Sequence, residues 1–281
     1  MPIFHAVILA IVQGLTEFLP VSSTAHLVLF AWFAGWPEPG LAFDVALHVG
    51  TLAAVLLFFV RDWIELVLAG FGIRPSAAMR DEEFSWKRKI FWLLVVGTIP
   101  GAIAGVLFEK TVENTLSKPI PIASALIVVG LLMWWADRLT NLDRHIKDTN
   151  LTDALLIGTA QACAIFPGVS RSGSTIMAGL ARRMTRESAA RFSFLLSTPL
   201  IAGAAFKEVP KLIHARHAGT LDLPMSTLLI AIVVSGLVGY AVIAFFLRYL
   251  QTRTLKVFVV YRIALGILIL LFVFLHLGTT R

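Results

Sequence analysis

Two polar clusters interrupt an otherwise apolar chain, and both hold residue types that can do chemistry. "TEFLPVSSTAH" at 16–26 carries a carboxylate, several hydroxyls and an imidazole, while "FPGVSRSGST" at 166–175 carries hydroxyls, a guanidinium and two glycines. A polar group in hydrocarbon is costly unless it has partners, so each cluster needs a reason to be there.

The order of residues within each cluster suggests one. Pro20 and Pro167 end a half-helix, because the residue before proline is pushed out of the α region and proline has no N–H. Ser22, Ser23 and Thr24, and likewise Ser170, Ser172, Ser174 and Thr175, then stand where a second half-helix starts. Hydroxyls there can cap free N–H groups, and a helix N-terminus attracts anions. Arg171 adds a planar fork of donors suited to phosphate oxygens. Gly168 and Gly173 let backbone amides come close to a ligand.

Gln13 and Glu17 are four apart, hence on one helical face, and Ser23 and His26 are three apart. Glu17 can offer a hard oxygen to a divalent cation. A hydroxyl beside an imidazole is the minimum arrangement for an activated nucleophile. Anion cradle, metal ligand, nucleophile and base together describe phosphoryl transfer. A single proline break with hydroxyls could equally shape a channel. Two matched breaks, one with Arg and the other with Glu and His, favour the reactive reading.

Other polar residues carry less. Asp44 and His48 are i, i+4 on an apolar span and are expected to face the same cavity, though either could be a satisfied interior group. His214 and His217 are expected in an outer loop, Arg262 to snorkel or pair structurally, and Cys163 to be a small packing residue. As the lone cysteine, Cys163 excludes an internal disulfide.

Composition sets the frame that must position these residues. Of 281 residues, 58% are hydrophobic and 15% charged, with a mean hydropathy of +0.84, against about 45–50% and roughly 25% in soluble domains. Stretches 43–60, 90–108, 121–136, 226–247 and 257–277 hold few or no charges. They approach or meet the roughly 17–25 residues that cross a bilayer. Ile3 to Leu19 has no basic n-region and no small-residue cleavage site, so it reads as mature protein.

The chain also repeats itself. "QGLTEFLPVSSTAHL" from Gln13 and "QACAIFPGVSRSGSTI" from Gln161 share Gln, a short apolar helix, Phe, Pro and a hydroxyl run. Each is followed by a Phe-led span, from Phe43 and from Phe192, then by "VVGTIPGAIAG" or "VVSGLVGYAVI" and one more apolar span. With 61–89, 138–152, 182–191 and 247–256 inside, sixteen Lys/Arg face five in 32–42, 109–120 and 207–225. That bias satisfies the positive-inside rule only if 3–30 and 153–181 do not cross, each being a re-entrant helix–loop–helix. The expected fold is therefore an all-α polytopic membrane protein with an inverted-topology repeat. It has about six transmembrane helices and two re-entrant hairpins, in a single integral membrane domain over 1–281 (repeat one about 1–140, repeat two about 150–278). The net charge of +7 is then a matter of topology, not of nucleic acid.

The two motifs are similar to "EGLTEFLPVSSTGH" and "PGxSRSG", the paired signatures of the undecaprenyl-diphosphate phosphatase (bacitracin-resistance) family. This chain has "QGLTEFLPVSSTAH" at 13–26 and "PGVSRSGST" at 167–175, and the resemblance runs its whole length, including "HVGT" at 48–51. It implies an enzyme of the bacterial inner membrane that hydrolyses undecaprenyl diphosphate to the monophosphate, recycling the lipid carrier of cell-wall synthesis, with its site toward the outer, periplasmic face. It implies a divalent cation, Mg²⁺ or alternatively Ca²⁺. Carried over by position, Ser23, His26, Glu17 and Arg171 are catalytic. Ser22, Thr24, Ser170, Ser172, Gly173, Ser174 and Thr175 bind the substrate, and Glu17 with Gln13 holds the metal. Partners are the polyprenyl diphosphate, membrane lipids and a second copy of the chain. Gln13 stands where the family has an acidic residue, which puts a two-carboxylate metal site in doubt, and Ala25 replaces the usual Gly, a change of one methyl near Ser23. The rival reading is a lipid flippase or transporter, which inverted repeats favour on architecture alone.

Overall fold

A computed structural model describes residues 1–36, 40–116, 118–139, 141–218 and 223–277. It is built from α-helices: α1 (Ile3–Phe18), α2 (Ser23–Ala34), α3 (Leu41–Phe58), α4 (Val60–Gly70), α5 (Asp81–Leu116), α6 (Pro119–Asp137), α7 (Leu151–Ala162), α8 (Arg171–Ala181), α9 (Arg186–His217), α10 (Met225–Leu250) and α11 (Lys256–Leu277). Helices α3, α5, α6, α9, α10 and α11 are long and apolar enough to cross a membrane. This is a polytopic membrane protein.

Proline stops two of the short apolar helices, α1 and α7, while α2 ends at Gly35 (φ 64°) and α8 at Arg182. Leu19 is extended at φ −71°, ψ 145°, as a residue before proline must be, so α1 ends one residue earlier. Phe166 is likewise extended before Pro167, after a 3₁₀ turn over Cys163–Ile165 closes α7. At 16, 12, 12 and 11 residues, α1, α2, α7 and α8 each fall short of the roughly 20 that span a bilayer.

Two sequence expectations change, and the inside segment 61–89 carries helix: α4 occupies its start and α5 begins at Asp81. Leu66, Ala69 and Gly70 pack inward while Ile64 and Phe71 stay exposed, an amphipathic pattern that charge counting does not reveal. His214 and His217 lie on the last turns of α9, not in a loop, where basic side chains complement the helix dipole. Cys163 is exposed, because the tight turn that ends α7 points it outward.

Packing exchanges partners between the two halves. Helix α1 lies on α10 and α7 on α5, while α3 meets α10, α9 meets α5, and α6 pairs with α11. Close approach needs small residues: a Cβ at Gly50 would collide with Ser235 and the Ile232 carbonyl of α10, and one at Gly158 with the Gly97 carbonyl of α5. Phe18, at the end of α1, sets its ring edge-on against Phe194 of α9, with centroids 5.4 Å apart.

The base of the second hairpin is tied down by charge. Asp153 is fully buried and accepts from Arg144 Nη1 and Nη2 at 3.1 and 2.5 Å and from Arg182 Nε at 2.6 Å. Burial opposes its charge, but the bonds from Arg144 and Arg182 outweigh it and hold the carboxyl below its usual range. The start of α7 is thereby fixed to the end of α8. Asp137 does the same for α6, α9 and α11 by accepting from Arg186 Nε at 2.6 Å and the Leu255 amide at 2.9 Å.

Candidate active site

The two hairpin tips share one construction. Ser22 and Ser170 are the N-caps of α2 and α8, and their hydroxyls accept from Ala25 N at 3.5 Å and Gly173 N at 3.1 Å. Both serines sit at positive φ, 76° and 70°, which is strained for any residue with a Cβ. Both carbonyls are gripped one turn on, Ser22 by His26 Nδ1 at 2.7 Å and Ser170 by Ser174 Oγ at 2.6 Å. The first helical residues, Ser23 and Arg171, therefore occupy equivalent places on opposing tips.

They meet on one carboxylate. Ser23 Oγ donates to Glu17 Oε2 at 2.7 Å and Arg171 Nη2 to Glu17 Oε1 at 2.6 Å. Gln13 Nε2 also donates to Glu17 Oε2, at 2.9 Å, and Gln13 and Glu17 are both buried. His48 brings Nε2 to 3.9 Å from Glu17 Oε2, while its Nδ1 lies 2.8 Å from the Asp44 carbonyl. Of Asp44 and His48, expected to face the same cavity, His48 lines it, and the Asp44 backbone carbonyl engages the other side of its ring.

A cavity of about 550 Å³ opens onto this group. Glu17, Ser22, Ser23, Thr24, Ser170 and Arg171 line its tip end, and Thr98, Gly101 and Val106 of α5 face Pro199, Leu200 and Lys207 of α9 along its length. Small residues on α5 and α9 keep it open.

The other expected site residues hold the tips together. Ser172 Oγ donates to the Leu19 carbonyl at 2.9 Å, stitching the second tip to the first. Thr175 Oγ1 bonds the Arg171 carbonyl at 2.7 Å and Ser193 Oγ at 2.5 Å. Gly173 packs close to the Ser170 side chain, where a Cβ would come within 3.2 Å. His26 is not brought to Ser23. Its Nδ1 serves the Ser22 carbonyl, and its Nε2 lies 2.6 Å from the Tyr261 hydroxyl with the two rings stacked. Because Nδ1 donates to a carbonyl, Nε2 of the neutral ring accepts from Tyr261.

Arg262, expected to snorkel or pair structurally, takes the second course and joins the tips. Arg262 of α11 is fully buried and donates to the Pro20 carbonyl at 3.1 Å, to Gly168 at 2.8 Å and to Val169 at 3.1 Å. A charge within an apolar span was the available signal. Its target was hidden, because carbonyls freed by a broken helix are not visible as residue types.

Among the described residues, no group of three or more His, Cys, Asp and Glu side chains could cage a metal. A different donor set is present: the carboxylate of Glu17 and Gln13 Oε1, a buried carbonyl oxygen with no hydrogen-bond partner. Mg²⁺ is commonly held by one or two carboxylates, with phosphate oxygens and water completing its shell, so these donors fit it in kind.

Fold and site define a polytopic membrane protein built around a buried carboxylate shared by two broken hairpins. The chain belongs to the bacitracin resistance protein BacA family, whose model matches residues 6–268. It is 47% identical over 272 residues to an undecaprenyl-diphosphatase of Moorella thermoacetica, covering 96% of this chain and 97% of that protein. A second undecaprenyl-diphosphatase, from Geotalea daltonii, is 46% identical over 279 residues (97% and 99%), and one from Pelotomaculum thermopropionicum is 43% identical over 270 (96% and 96%).

Proposed function

We propose that this protein is an undecaprenyl-diphosphatase: it hydrolyses undecaprenyl diphosphate to undecaprenyl phosphate and inorganic phosphate, recycling the lipid carrier of cell-wall synthesis and conferring bacitracin resistance. One observation carries the reading. Ser23 and Arg171, from opposite tips, converge on the two oxygens of Glu17 at the end of the cavity. A nucleophile with its base and a phosphate-binding guanidinium are held in one place before substrate arrives.

In the reaction, Arg171 turns its fork from Glu17 to the terminal phosphate, whose oxygens it matches bidentately. Ser23 Oγ forms a bond to the terminal phosphorus. The bond from that phosphorus to the bridging oxygen breaks, its electron pair leaving with the polyprenyl monophosphate. The hydroxyl proton passes to Glu17, the carboxylate it already touches. Water then attacks the phosphoserine, giving up a proton and releasing phosphate, and Ser23 recovers its own. Glu17 and Gln13 Oε1 would hold a divalent cation, Mg²⁺ for preference, which would supply charge stabilisation to the phosphoryl oxygens.

The site serves the outer face of the bacterial inner membrane. Along the cavity, α5 runs from Thr98 to Val106 and α9 from Pro199 to Lys207, away from the basic segments 61–89 and 182–191. Positive segments stay inside, so the mouth lies outside. The matched tips and exchanged packing reflect two repeats of opposite orientation, which also suits lipid transport.

Purified protein in detergent, without any gradient, is expected to release phosphate from a polyprenyl diphosphate, and Arg171→Lys to lose nearly all of that activity. A wild type that moves lipid but releases no phosphate would overturn the enzyme reading. Full activity in Arg171→Lys would reduce the arginine to a simple charge.

A further inference from the structure

We infer that Gln161, on the last turn of α7, is a substrate-binding residue whose carboxamide holds a phosphate oxygen of the diphosphate. The inference rests on the phosphatase reading and adds a contact from a residue to which the sequence motifs assign no role.

Gln161 is 2% exposed and lines the cavity. Neither Nε2 nor Oε1 has a hydrogen-bond partner. Burying an amide unpaired is unfavourable, and a satisfied partner is the rule for such groups. The exception is understandable where a ligand completes the set.

Internal symmetry sharpens the point. Gln13 and Gln161 each precede their N-cap serine, Ser22 or Ser170, by nine residues. Gln13 spends its Nε2 on Glu17. The residue equivalent to Glu17 in the second hairpin is Ile165, which can accept nothing. The second glutamine therefore keeps the donor that the first one uses, and Gln161 and Arg171 both line the cavity. Across from it, Gly101 supplies no side chain; a Cβ there would come within 3.3 Å of Gln161 Nε2. The amide sits in the cavity wall beside α5, and in the phosphatase reading its unused N–H would meet a phosphate oxygen, to which a neutral donor adds a bond without the charge of a second arginine.

The test compares wild type, Gln161→Leu and Gln161→Glu as full-length protein in detergent. kcat and KM are measured on a polyprenyl diphosphate, and inorganic pyrophosphate serves as a soluble competitor. Loss of one hydrogen bond in Gln161→Leu should lower kcat/KM and weaken pyrophosphate inhibition, each by about tenfold. Gln161→Glu keeps the shape but sets a carboxylate against phosphate, and should be worse on both readouts. Gly101→Ala, which crowds the amide from the opposite helix, should weaken pyrophosphate in the same direction, so the proposal stays testable if Gln161→Leu does not fold. Wild-type inhibition by pyrophosphate in all three variants overturns the proposal. So does a change confined to the lipid substrate, which would place Gln161 against the isoprenoid. An inactive wild type would instead overturn the phosphatase reading.

Discussion

Ser23 Oγ lies 2.7 Å from Glu17 Oε2, whereas both ring nitrogens of His26 are engaged elsewhere. The base nearest the candidate nucleophile is thus a carboxylate six residues before it, not the imidazole three residues after it. Ser23→Ala should retain less than about a thousandth of wild-type turnover, the scale on which covalent nucleophiles fail. Glu17→Gln should lose about as much, because it removes the proton acceptor while keeping the shape. Rapid acid quench of wild type should trap phosphate on Ser23. Turnover of a tenth or more in Ser23→Ala would leave direct attack by water as the mechanism.

The His26–Tyr261 contact, 2.6 Å with stacked rings, makes a separate prediction. If His26 acts by fixing the strained Ser22 carbonyl, Tyr261→Phe should reproduce part of the loss seen in His26→Ala, about tenfold in kcat. The double variant should be no worse than His26→Ala, since both lesions break one chain of contacts. The pH profile of the residual activity should follow wild type. A residual activity that climbs with pH in His26→Ala but not in Tyr261→Phe would restore the imidazole as the base.

Arg262 predicts a coupled loss of stability and activity. Its guanidinium reaches three tip carbonyls from two different hairpins, which the single ammonium of lysine cannot do at once. Each buried carbonyl left unpaired costs about 1–3 kcal/mol. Arg262→Lys should lower the Tm in detergent by about 5 °C and reduce turnover even where the protein is folded. An unchanged Tm would mean that the tips hold their shape without the clamp.

How much of this was legible beforehand follows from what a sequence can display. Spans are set by length and hydropathy, so five were visible that way, while α9 was legible only through the repeat led by Phe192, and proline marks where α1 and α7 must stop. The convergence of Glu17, Ser23 and Arg171 was legible as residue types because two matched motifs carried them. Which of them touch was not, since that depends on side-chain directions at the tips. Spacing alone put His26 beside Ser23, yet the backbone of Ser22 turns to positive φ and offers its carbonyl to the ring instead. Helix α4 escaped because its buried stripe is only Leu66, Ala69 and Gly70, too little for a charge-rich segment to advertise.

The last prediction concerns the metal, through Gln13. Its Nε2 is fixed on Glu17 at 2.9 Å, which leaves Oε1 as a buried oxygen with no partner beside the Glu17 carboxylate. Replacing it by glutamate changes two things at once. Without a cation, two neighbouring carboxylates repel and one must stay protonated or lose its place, so the metal-free protein should become less stable. With a cation, the second charge strengthens its hold. The half-saturating Mg²⁺ concentration for phosphate release should therefore fall about tenfold in Gln13→Glu. Its Tm in chelator should drop below that of wild type and recover on adding Mg²⁺. Substrate preference should not change, because Gln13 is fully buried and is not among the cavity-lining residues. Identical Mg²⁺ titrations in the two proteins, together with a Tm that ignores the cation, would remove Gln13 from the metal site and leave Glu17 as a base alone.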